Sequence, residues 1–149
     1  MSTETMSGGF SQRERAAMKA RAAELKDEAS HGRGNKKAAD ELAVLTKIQE
    51  MTDADRAVAE RIHVIVTTAG LTPKLWYGQP AYARKGKVVC FFRSGHVDGE
   101  RYSTFGFTTA AELDDATGLW PTSFAVTELT PEAEETIADL VHQAAPDPQ

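Results

Sequence analysis

The chain has 149 residues, 41% of them hydrophobic and 26% charged, the size and make-up of one globular domain. Its lone cysteine, Cys90, excludes an internal disulfide, and no apolar run approaches the ~18 residues that a membrane-spanning helix needs. The net charge is −5, and every charged residue after Phe107 is acidic, which argues against nucleic acid on that stretch and makes a basic protein the complementary partner.

Residues 1–10, MSTETMSGGF, are small and polar and read as a disordered tail. They lack the basic start and apolar stretch of a signal peptide, so the cytoplasm is the expected location. A first helix is predicted from Ser11 to about Ala29, opened by Ser11 and Glu14 at capping-box spacing. Its apolar stripe of Met18, Ala22 and Leu25 is thin, so it should lie on a surface or cross to another subunit. The glycines of HGRGNKK break the chain, and a second helix follows over about Ala38–Glu50. Together, residues 11–52 read as a helical N-terminal arm. Thr52 caps a third helix whose stripe, Val58, Ile62, Ile65, Val66 and Ala69, has the spacing of a core-facing face; Gly70 and Pro73 stop it.

The period then changes. LWYG, QPAYAR, KVVCFF, RYSTFGF and SFAVTEL are short and rich in aromatic and β-branched residues, and Lys85-Gly86 is a hairpin signal. A short helix is expected at about Thr109–Asp115. Thr130-Pro131 opens a last helix with Ala133, Ile137, Leu140, Val141 and Ala144 on its apolar face. Strands in one block with helices before and after predict an α+β domain over residues 53–145, an antiparallel sheet of four to five strands flanked by helices.

The segment Trp76-Tyr77-Gly78-Gln79-Pro80-Ala81-Tyr82 is the densest chemical feature. Its aromatics read either as the wall of a groove, closed by Trp120 and Arg101 beside Tyr102, or as core side chains around a bulge. Both isomers of the Gln79-Pro80 bond are open at this level. Glu112, Asp114 and Asp115 are the candidate metal ligands, since hard cations want clustered oxygens, although no calcium-type loop surrounds them. The histidines His31, His63, His96 and His142 are dispersed, and Cys90 in VVCFF reads as an inert core residue. Nothing pairs a nucleophile with a base, so the reading is a binding protein rather than an enzyme.

The run Tyr77-Gly78-Gln79-Pro80-Ala81-Tyr82 followed by Gly86, with RYSTFGF, GLWPTSFAVTEL and a terminal helix, resembles the YdhG-like family of small bacterial domains over residues 53–145. Some of that family are described as frataxin-like. The resemblance therefore implies an intracellular iron chaperone that delivers metal to iron–sulfur and haem assembly machinery. The first helix, with Arg13, Arg15, Lys19 and Arg21, departs from the acidic first helix of frataxins, so no frataxin ligand carries over. Carboxylate density alone points to Glu112, Asp114, Asp115, Glu132, Glu134 and Glu135 for iron. The alternative is a small-ligand or protein-interaction module built on Trp76, Tyr77, Tyr82 and Trp120.

Overall fold

The structure, a computed structural model, describes residues 12–30 and 36–146. The expected tail, the Ser11 capping box, His31 and its glycine break lie outside those residues. Three helices come first: α1 (Gln12–Ser30), α2 (Lys36–Gln49) and α3 (Asp53–Thr68). Five strands follow, β1 (Thr72–Trp76), β2 (Gln79–Arg84), β3 (Lys87–Arg93), β4 (Ser103–Phe107) and β5 (Ser123–Val126), and then α4 (Pro131–Ala144). The strands form one antiparallel sheet in chain order, β1-β2-β3-β4-β5. This is the α+β class that a block of strands between helices predicts.

Alternation decides the layers. Tyr82, Cys90, Phe92, Phe105 and Phe107 share one face of the sheet and pack on Val44 and Ile48 of α2, Val58, Ile62 and Val66 of α3, and Ile137 and Val141 of α4. The other face carries Lys74, Ala81, Phe91, Gly106 and Ser123 in one cross-strand row, and no described helix covers it. Both long caps form as read: Thr52 accepts from the Asp55 N–H and Thr130 from the Ala133 N–H. No described helix is long and apolar enough to cross a membrane.

Three expectations need correction. The boundary at residue 53 does not follow the core, because Val44, Ile48 and Met51, all before it, belong to the main cluster. Burial of one face of α2 makes that helix part of the domain, and only α1 stands outside. Leu25 of α1 is fully buried against Ala38 and Leu45, flanked by Met18, Ala22 and Leu42, so the thin stripe packs on α2 of the same chain. Second, no helix forms at Thr109–Asp115. The Thr108 hydroxyl accepts from the Ala110 N–H, and the Glu112 N–H donates to the carbonyl of Ala144. These bonds compete with a helical ladder and win. Third, LWYG is not one strand: β1 starts at Thr72 and ends at Trp76, and Tyr77-Gly78 is a turn. The Gln79-Pro80 peptide is trans.

Candidate functional site

The aromatic segment is divided among three environments. Trp76 closes β1 against Gln79, which leaves Tyr77-Gly78 as a two-residue hairpin with φ of +53° and +75°. Positive φ at both positions defines a type I′ turn, whose twist matches that of the strands and whose usual occupants are Asn, Asp and Gly. Tyr77 is 84% exposed and meets the Trp76 ring edge-on at 4.8 Å. Trp76 in turn lies 5.4 Å from Phe91 on the helix-free face. Tyr82, six residues after Trp76, points the opposite way and is fully buried. Its hydroxyl shares a 3.0 Å hydrogen bond with Nδ1 of His63.

The groove of Trp76, Tyr82 and Trp120 is therefore not assembled. Tyr82 is core, because it sits on the helix-covered face of β2. Trp120 lies in the connection between β4 and β5, packed on the core beside Leu113 and Leu140. Arg101 stacks over the neighbouring Tyr102 ring at 5.2 Å and reaches none of them. Trp120 and Tyr77 line separate clefts, of about 270 and 350 Å³, and the larger is that of Tyr77.

That cleft has a volume of about 350 Å³ and lies between the hairpin tip, the end of α2 and the turn after β3. Tyr77, Gly78, Gln79 and Pro80 form one wall; Lys47, Glu50 and Met51 form the second; Arg93, Ser94, Val97 and Asp98 form the third. The third wall is held from beneath. Asp55, in the first turn of α3, accepts from the Ser94 hydroxyl, the His96 N–H at 3.3 Å and the Ser103 hydroxyl at 3.3 Å. The Arg93 guanidinium forks to Asp98 and, at 2.6 Å, to Glu100. Gly95 is required at this turn, since a Cβ there would stand 2.1 Å from the Tyr102 carbonyl oxygen. Sequence reasoning missed Lys47, Arg93, Ser94 and Val97. The available signal was the Ser94-Gly95 pair, a turn element three residues before an exposed valine.

A larger slot of about 520 Å³ runs between α1 and α2. Two of its polar lining groups are already committed: Arg15 and Gln49 donate to Oε2 of the buried Glu60, at 2.8 and 3.2 Å. The slot is thus the seam where α1 is fastened.

Three buried titratable groups on the sheet and α3, His63, Tyr82 and Cys90, are held neutral. Burial lowers the His63 pKa to about 4, opposed by the charge of Glu41. Burial raises Tyr82 well above a normal phenol, with Cys90 adding, and raises the Cys90 thiol as well. Cys90 is fully buried, which fits the expected inert thiol.

The acidic residues are spread over several elements. Glu112 is paired with Arg84 at 2.8 Å, and Glu134 takes a two-pronged contact from Arg61 at 3.1 and 3.2 Å. Asp115 accepts from the N–H and hydroxyl of Thr117, which lower its pKa. Asp114 is exposed beside the buried Leu113. Among the described residues no group of three His, Cys, Asp or Glu side chains is placed to hold a metal ion. The iron expectation thus has the sequence resemblance as its sole support.

Fold and site together define an α+β meander domain, helix-covered on one face, with a mixed polar and apolar cleft at one end. Comparison with protein-family models, with curated proteins and with solved structures finds no match to this chain.

Proposed function

We propose that this protein is a binding module whose recognition site is the cleft at the β1–β2 hairpin tip. The observation that carries this reading is Tyr77. A non-glycine residue in the left-handed region costs about 1–2 kcal/mol, and Tyr77 recovers little of that by burial, being 84% exposed. Lys85 carries the same φ of +53° at the other hairpin tip, so what sets Tyr77 apart is an aromatic ring held strained on the wall of a cleft, which favours recognition over packing. The ligand that suits this cleft has a planar or apolar part to lie against Tyr77, Met51 and Val97. Its polar part would meet Lys47, Glu50 and the Gln79 amide.

Tyr77→Asn is the discriminating variant, because Asn tolerates this backbone while losing the ring. It should raise stability by about 1 kcal/mol in urea unfolding. The same variant should abolish binding of planar probes such as p-cresol and adenosine, followed through Trp76 fluorescence. A variant that unfolds more readily than the parent would show Tyr77 to be structural, and unaltered probe binding would remove it from the site.

A further inference from the structure

The cleft does not end at the hairpin. A second hollow, about 450 Å³, runs along the outer face of α2 beside Leu75 of β1 and is lined by Leu42, Ala43 and Thr46. The two hollows share Lys47 and Glu50. The residues involved, Ala39, Leu42, Ala43, Thr46 and Lys47 on α2 and Glu50 in the turn that ends it, recur every three or four positions and form one continuous stripe. At 1.5 Å per residue the stripe is roughly 17 Å long, the reach of about five extended residues.

Three features mark this groove as a place for a chain rather than for a compact molecule. Leu75, Tyr77 and Val97, at 37%, 84% and 71% exposure, are half of the large apolar side chains exposed among the described residues, and all three line it. Between the hollows stand an ammonium and a carboxylate, Lys47 and Glu50, and neither makes a side-chain hydrogen bond or ion pair among the described residues. A peptide unit supplies the complement to both, a carbonyl for Lys47 and an N–H for Glu50. The edge of β1 is open at the same place. The turn-closing pair Trp76–Gln79 directs the N–H and C=O of Leu75 to the free side, whereas Pro73, the next outward position, has no N–H to offer.

We infer that the groove between α2 and β1 receives an extended segment of a partner polypeptide. Its two apolar side chains, set on either side of one central peptide unit, seat in the two hollows. The Pro73 position limits edge pairing to the Leu75 end, so the segment is held by anchors and a short main-chain contact rather than as a full added strand. This inference rests on the proposed binding role of the hairpin cleft and extends it to a class of ligand.

The test is selection of a phage-displayed random dodecapeptide library on the full chain, followed by fluorescence anisotropy with the enriched peptides. The expected result is enrichment of peptides with two apolar residues a few positions apart. Binding should weaken about tenfold or more in Leu75→Glu, at the far hollow, and in Tyr77→Asn, at the near one. Leu75→Ser serves as a second far-end variant, and circular dichroism checks that each variant is folded. Exchanging the waist charges, Lys47→Glu with Glu50→Lys, should weaken peptide binding less than either single reversal. If p-cresol still binds at Tyr77 but peptides ignore Leu75, the groove is wrong and the hairpin cleft stands as a small-molecule site. If neither probe senses Tyr77, both readings fall. Failure to enrich any peptide also overturns the groove.

Discussion

Lowering the pH through the histidine range should cost this protein about 3 kcal/mol of stability through one side chain, His63. The imidazole is 6% exposed, and burial brings its pKa from 6.5 down to about 4. Between those values the unfolded chain binds the proton and the folded chain does not. Acid therefore favours unfolding: the contribution is intact above pH 6.5, falls through the interval, and is gone near pH 4. The Glu41 charge opposes the shift and is the weaker cause. Urea titrations at several pH values will show the slope in the parent and its loss in His63→Gln, which keeps a polar group near the Tyr82 hydroxyl but does not titrate. Equal slopes in the two proteins would place the acid sensitivity elsewhere.

The second large effect is expected at the seam of α1. The Glu60 side chain is 0% exposed, and its charge is met by Arg15, itself 42% exposed, at 2.8 Å. Among the described residues Oε1 of Glu60 has no hydrogen-bond partner, so the carboxylate depends on one oxygen for its compensation there. Arg15→Ala should cost about 2–3 kcal/mol, somewhat less than a wholly buried pair because water can reach the vacated arginine position. Adding Glu60→Leu should return most of the loss, since an apolar residue leaves no charge to satisfy. A double variant as unstable as Arg15→Ala alone would mean that Arg15 acts through packing. The other ion pairs of α1, Arg21–Glu41 at 3.0 Å and Glu14–Arg61 at 3.6 Å, have partly exposed partners and count for less, while Leu25 keeps its apolar seat on α2. Hydrogen exchange should therefore find α1 the earliest helix to open in Arg15→Ala.

The elements with strong periodicity were legible in advance. The stripes of α3 and α4 occupy the core as read, and the turn at Lys85-Gly86 falls where a two-residue hairpin was expected. What failed was sidedness. Treating Tyr77-Gly78 as strand rather than turn leaves open which aromatics share a face, and a one-residue change in phase moves a side chain from solvent to core. Of the two readings open for Tyr82, groove wall or core, the fully buried ring takes the second. The distance between Trp76 and Trp120 depends on the strand order, since Trp76 ends the edge strand β1 and Trp120 lies in the connection leading into the other edge strand, β5. The cleft was only half legible. Its hairpin wall is a contiguous motif, whereas Lys47 and Val97 arrive from α2 and the turn after β3, through tertiary contacts that no local spacing encodes. Arg84 and Arg61 likewise claim Glu112 and Glu134 from distant elements, which charge counting cannot foresee.

The placement of Cys90 gives the chain a built-in clock. It is the single thiol, fully buried on the central strand β3, opposite Tyr82 on one side and Phe107 on the other. A disulfide reagent in native buffer can reach it only when the sheet parts, so the labelling rate reads the frequency of that event without any engineered probe. Fraying of α1 should leave the rate unchanged, and only variants that loosen the sheet or the helices packed on it should quicken it.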